Sequence, residues 1–244
     1  PRKTLIDNLE EAVVEEKKIE EMDVVFLMDR FGYAKTVDVS VYERNKEAAD
    51  TENRYILTCK NTDKICIFTN KGQMHLLKVL DLPYGKFRDK GIPIDNLSNY
   101  NSSEENFIYI INLGAIIHSR LLFGTKTAML KMVDGSEFDV AKRTTASTKL
   151  NEDDELLIVH AMTGEETVVM QSEKEMFLRI EASTIPEKKK GAVGVRGMKL
   201  NAGDALSNIY VLDGESEQTV EVKGKEVVLN RLRVGNRDTK GTKR

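Results

Sequence analysis

The sequence contains no tryptophan, only four prolines, two cysteines and three histidines. So little sulfur excludes a disulfide scaffold or a cysteine-rich metal module. Cys59 and Cys66 flank a turn expected at Asn61–Lys64, where a hairpin would bring them face to face, and the reading favoured here is two reduced core thiols. His75, His118 and His160 are spaced 43 and 42 residues apart, but His75 follows a hairpin turn whereas His160 leads into one, so no metal site is expected. No apolar run approaches the roughly 18 residues that a membrane-spanning helix needs, and no signal peptide is seen at Pro1. Ser-His-Asp order, HExxH and paired catalytic carboxylates are also missing, which argues against an independent enzyme. With 244 residues, 40% of them hydrophobic, there is still enough material for a real core. The chain reads as a cytoplasmic segment that follows a partner domain on its N-terminal side.

The charge is unevenly placed. Net charge is −3, yet residues 7–23 hold eight acids against Lys17 and Lys18, a local −6, and the rest of the chain sums to +3. The last 22 residues carry eight basic groups against Glu226 and Asp238. An excess distributed in this way says more about partners than the whole-chain value does.

Apart from an acidic and apolar stretch at Glu10–Glu21, expected as a short helix, the chain reads as strands. Val24–Met28, Tyr55–Cys59, Lys64–Phe68, Phe107–Ile110, Leu156–Val159 and Asn208–Leu212 are short, β-branched or aromatic, and bounded by turn residues. One phrase recurs, an apolar strand, a polar turn and a basic-apolar strand, at Met28–Lys35, Phe68–His75, Met132–Phe138, Met170–Phe177 and Val222–Val227. A period of about 40–50 residues with four strands per unit indicates a propeller, stretched to 63 residues between Gly72 and Gly135 by the loop Leu82–Glu105. The expected fold is all-β, with about five four-stranded blades forming one domain over residues 1–244. Glycines at Asp89–Asp95 and Ala192–Lys199 are expected where the chain crosses tightly to a neighbouring sheet. Neither segment leads into a helix or a Gly-Lys-Ser/Thr loop, so neither reads as a phosphate cradle.

The candidate DNA-contacting cations are Lys35, Lys71, Lys78, Lys86, Arg88, Lys90, Lys142, Arg143, Lys188, Lys189, Lys190, Arg196, Lys199, Arg231, Arg233 and Arg237. Any one of them could simply protect an exposed sheet edge. The clusters at 86–90 and 188–190 exceed that need, and cations spaced to follow phosphates bind duplex DNA without reading bases. The rival reading from another class is a propeller scaffold for protein partners, which a large apolar patch on one disc face would favour.

The opening Pro1–Thr4, the runs Asp23–Lys35 and Phe68–Val79, and Gly194–Leu200 resemble the C-terminal domain of the A subunit of bacterial type IIA topoisomerases, DNA gyrase and topoisomerase IV. The resemblance extends over essentially the whole chain, most strongly in the first two blades and Lys190–Leu200. It implies a β-pinwheel whose outer strands are exchanged between blades, and a non-catalytic domain that bends duplex DNA for strand passage. The partners it implies are the N-terminal breakage-reunion domain of the same subunit, together with an ATPase B subunit. It further implies that ATP and magnesium are used elsewhere in the holoenzyme, and that the location is cytoplasmic and nucleoid-associated. The Gln-Arg-Arg-Gly-Gly-x-Gly box usual in gyrase A is missing, because after Tyr42 the chain reads Glu43–Thr51 with no glycine and three acids. That departure favours a topoisomerase IV-like subunit or a divergent gyrase A.

Overall fold

A computed structural model describes residues 18–244. In chain order, β1 (Asp23–Met28) and β2 (Tyr33–Asp38) form a hairpin, helices α1 (Val39–Arg44) and α2 (Lys46–Glu52) follow, and β3 (Tyr55–Lys60) returns along β1. The second unit is the hairpin β4 (Lys64–Thr69) and β5 (Gln73–Lys78), the short strands β6 (Tyr84–Gly85) and β7 (Ile92–Pro93), and β8 (Phe107–Asn112). The one-turn helix α3 (Leu113–Ile116) leads to a third unit of β9 (Arg120–Thr125), β10 (Met129–Asp134), β11 (Thr144–Ala146) and β12 (Leu156–Met162). A fourth contains β13 (Thr167–Ser172), β14 (Met176–Glu181), β15 (Val195–Arg196) and β16 (Leu206–Leu212). A fifth contains β17 (Thr219–Val222), β18 (Lys225–Val228) and β19 (Thr242–Lys243).

Units and sheets do not coincide. From the second hairpin on, the short strand or strands that follow reach back to the preceding sheet: β6 and β7 pair with β2, β11 with β5, β15 with β10, and β19 with β14. Four blades result, ordered from returning strand to strap strand, while β17 and β18 form a two-stranded fifth sheet in place of a full blade. The returning strands β3, β8, β12 and β16 touch in succession and so run along the inner side, with Tyr55 edge-on to Phe107 at 6.1 Å and Tyr109 stacked on His160 at 6.4 Å. The straps are therefore the outer rim. This is the strand exchange that the family resemblance implies.

Burial explains why the blades stack. In β1, Phe26 and Met28 join a cluster with Ile65, Ile67 and Leu77 of the second blade, while Val25 and Leu27 face the other way. Such a strand is buried on both faces, hence its nearly unbroken apolar run. Phe68 and Met74 pack in the same manner against Phe123 and Val133, Leu122 and Met132 against Met170 and Ile180, and Val169 and Phe177 against Val222 and Leu229. Each fully buried phenylalanine contributes on the order of 1.5–3 kcal/mol of transfer free energy. Val25, Leu27 and Val37 are covered by Ala49 of α2 and by Val41 and Tyr42 of α1. The helices thus cap the free face of the first blade. Asp38 starts α1 by accepting from the Ser40 amide at 2.8 Å.

Two expectations are corrected and two are qualified. Cys59 and Cys66 do not face each other across a hairpin, because β3 pairs with β1 and β4 with β5 and β8; the link between them is a crossing from blade to blade. Both are buried free thiols, and burial pushes them up to about 11 and about 12. Met132–Phe138 is not a turn between strands, since Asp134 ends β10 and Gly135–Phe138 is a 3-10 turn; the third hairpin turns at Lys126–Ala128. Glu10–Lys17 lies outside the described residues, and Lys18–Met22 is not helical. The all-β reading also overlooked α1, α2 and α3.

Candidate nucleic-acid interface

Every hairpin turn places a residue at positive φ: Gly32, Gly72, Ala128, Glu175, and in the fifth both Lys223 and Gly224. Glycine accepts that conformation freely, whereas Ala128 and Glu175 bear a cost, which is why a search for glycines misplaced the third blade. Shortly after each of the first four turns comes a polar side chain on the second hairpin strand: Lys35 opposite Leu27, His75 opposite Ile67 and Lys131 opposite Phe123 share one register, and Arg179, opposite Val169, sits one position further from its turn. Each one holds a strap.

The Lys35 ammonium donates to the carbonyls of Phe87 and, at 2.9 Å, Asp89. Lys131, 1% exposed, donates to the carbonyls of Lys189, Lys190 and Ala192 at 3.1, 3.0 and 2.7 Å. Arg179 donates to those of Asn230 and Leu232 at 2.6 and 3.2 Å. In the second blade His75 bridges Thr144 Oγ1 at 2.9 Å and the buried Glu105 carboxylate at 2.6 Å. A buried cation is tolerated only when its donors are met, and the strap carbonyls meet them. Burial still depresses both lysines, Lys131 to about 8. Arg179 and Lys131 were absent from the sequence-derived set, although a basic residue three or four positions after the turn was the signal that would have found them.

With its carbonyls turned inward to these staples, a strap carries its own cations on the rim. Lys86, Arg88 and Lys90 of the first strap are exposed and form no ion pair among the described residues. In the second, Lys142 is exposed and Arg143 lies 3.8 Å from Asp81. In the third, Lys189 is 88% exposed and 3.1 Å from Glu137, Lys188 is half-buried, and Lys190 is turned inward to the Glu137 carbonyl at 3.0 Å. Arg196 pairs with Asp238, which holds that carboxyl below its usual range, and Lys199 is exposed. In the fourth, Arg233 is exposed, Arg231 lies 3.4 Å from Glu217, and Arg237 donates to the Arg196 and Thr184 carbonyls at 2.9 and 3.3 Å. Lys240, Lys243 and Arg244 extend this strap and were not in the set.

The remaining candidates lie elsewhere. Lys71 sits in a hairpin turn, sharing Glu155 with Lys126 of the next blade at 3.2 and 2.6 Å, and Lys78 is exposed opposite Lys64. Lys35, read as a surface contact, has its head occupied by strap carbonyls. The structure therefore gathers most of the exposed set on four adjacent straps, leaves Lys71 and Lys78 exposed away from them, and makes Lys35 and Lys190 internal supports. Among the described residues no three His, Cys, Asp or Glu side chains converge to hold a metal ion.

Comparison with known proteins agrees with this architecture. The family model described as DNA gyrase C-terminal domain, beta-propeller, matches residues 119–161 and 166–213, which are the third and fourth units and not the first two, where the motif resemblance was strongest. The gyrase A protein of Staphylococcus epidermidis is 29% identical over 251 residues, covering 96% of this chain and 28% of the relative; that of Lawsonia intracellularis is 28% identical, covering 93% and 30%. The chain thus spans under a third of the curated relatives it matches. Among solved structures, a C-terminal domain of DNA topoisomerase IV superposes with a TM-score of 0.81 at 22% identity, covering 92% of this chain and 73% of that one. The C-terminal domain of E. coli ParC gives 0.71 at 16% identity, covering 91% and 94%.

Proposed function

We propose that this chain, which is similar to the C-terminal domains of gyrase A and topoisomerase IV A subunits, is a non-catalytic module, a single β-pinwheel, that binds and bends duplex DNA along its straps. The observation that carries the reading is the row of stapled straps, each presenting exposed cations from the segment that carries the outermost strand of a blade. Sequence-independent binding needs many such contacts, because bending a duplex costs on the order of several kcal/mol and single surface cations contribute little.

Breakage and rejoining would belong to the N-terminal part of the same polypeptide, whereas ATP hydrolysis, with its magnesium, would belong to a B subunit. The bent segment would be delivered to them for strand passage. Between gyrase and topoisomerase IV, the region after Tyr42 favours the second, since Glu43–Thr51 lies within α1 and α2 and offers no glycine loop to a phosphate backbone.

The test is duplex binding measured across a salt series for the quadruple variant R88A/K90A/K188A/K189A, which spares the staples. Each lost phosphate contact removes about 0.9 from the slope of log K against log salt. Weaker binding with a slope shallower by roughly 2–4 is expected. Unchanged affinity and slope would remove the straps as the interface.

A further inference from the structure

The five hairpin turns are not equivalent. Those of the second to fifth sheets carry Lys71, Lys126, Lys174 and Lys223, and each ammonium is bonded within the protein: the first two to Glu155, Lys174 to the Ala202 carbonyl at 2.9 Å, and Lys223 to Glu175 at 2.6 Å. The turn of the first blade carries Phe31, 69% exposed. It is held rigidly. The Asp29 carboxylate accepts from the amides of Phe31 and Tyr33 at 2.8 and 3.1 Å, and Gly32 takes a φ of +86° beneath it.

Phe31 also stands as a ridge between two open clefts of about 800 and 430 Å³. Cations surround it. The Arg30 guanidinium lies over its ring at 4.7 Å, Arg54 is on the smaller cleft, and Arg88 and Lys90 of the first strap line the larger one with the half-exposed Tyr33. Of the carboxylates present, Asp29 is occupied by the turn amides and Asp89 by the Lys86 amide at 2.8 Å, while Glu52, on both clefts, is exposed and forms no hydrogen bond or ion pair among the described residues. An apolar ring flanked by uncommitted guanidinium and ammonium groups matches a ligand that alternates flat apolar surfaces with anionic ones.

We propose that Phe31 is a wedge that enters a base step of the bound duplex, with Arg30, Arg88 and Lys90 on the flanking phosphates, so that the bend is concentrated at the first blade. The idea rests on the reading of the straps as the DNA interface. Side chains inserted between bases unstack the step and kink the duplex, whereas strap cations act on the backbone alone. Affinity and distortion are therefore separable.

The experiment uses the whole chain with duplexes carrying 2-aminopurine at successive positions, and donor and acceptor dyes at their ends. Wild type is expected to raise the fluorescence at a discrete step and shorten the end-to-end distance. F31A is expected to bind within about threefold and with the same salt slope, but to lose both signals, while F31L, still apolar, retains them. If wild type binds with no fluorescence rise at any position, or F31A distorts DNA as wild type does, the wedge is overturned and the strap reading stands. If wild type does not bind duplex at all, the strap reading falls and the wedge falls with it.

Discussion

Lys131 shows how a single side chain can serve the rim without touching a ligand. Its ammonium sits 5.6 Å over the Phe123 ring and is met by three strap carbonyls, yet burial depresses it to about 8 from an ordinary 10.5, with Glu137 opposing the shift. The unfolded chain therefore binds this proton more tightly than the folded one. Below about pH 8 the residue is charged in both states and the cost of burying the charge is fully present. Between about 8 and 10.5 that cost is relieved, so this residue's contribution to stability rises with pH. Comparing denaturant unfolding of wild type and K131M at pH 7.5 and 9.5 cancels the other groups. The difference is expected to move toward wild type by on the order of 1–2 kcal/mol. A difference that stays flat or moves the other way would show that the ammonium is not desolvated as described.

At the scale of elements, the strap depends on close backbone approach as much as on its staple. A Cβ on Gly91 would lie 2.8–3.0 Å from the Ala34 backbone, one on Gly194 2.5–2.9 Å from Leu130, and one on Gly241 2.7–2.9 Å from Phe177, three equivalent places in three blades. Gly194→Ala is therefore expected to push the third strap off β10, costing roughly 1–3 kcal/mol and weakening duplex binding even though no cation is removed. Binding and stability equal to wild type would show that the strap accommodates the methyl group. Gly91 and Gly194 were legible in the sequence as tight crossings, Gly241 was not, and the strands were legible from their β-branched runs. The third hairpin was not, because Ala128 performs at φ 65° what glycine does in the first two. The cationic set was only partly legible, since Lys35, Lys131 and Arg179 bond to carbonyls of straps some 50–60 residues away in sequence. Nor could strand propensity foresee α1 and α2, which form where the first blade has no earlier blade to strap and its apolar face needs a cover.

For the molecule as a whole, that cover fixes how far the rim extends. Four shared clusters join each blade to the next, from the first to the β17–β18 hairpin, and among the described residues none joins the hairpin back to the first blade. Stacks of repeated units are stable when their ends are closed by polar caps, and here α1 and α2 close one end while the largely exposed β17 and β18 close the other. The straps consequently describe an arc that stops at the first blade, where Glu43, Glu47, Asp50 and Glu52 outnumber Arg44 and Lys46. A polyanion following the straps meets repulsion at that end and has no cationic path on which to complete a turn and cross itself. Bending without a fixed handed crossing is thus expected. Relaxed circular DNA incubated with this chain and then sealed by ligase should keep the linking-number distribution of the protein-free control at protein concentrations that saturate binding. A shift of one sign that grows with protein would mean that the duplex passes the acidic helices and wraps, and the arc would then have to be replaced by a closed path.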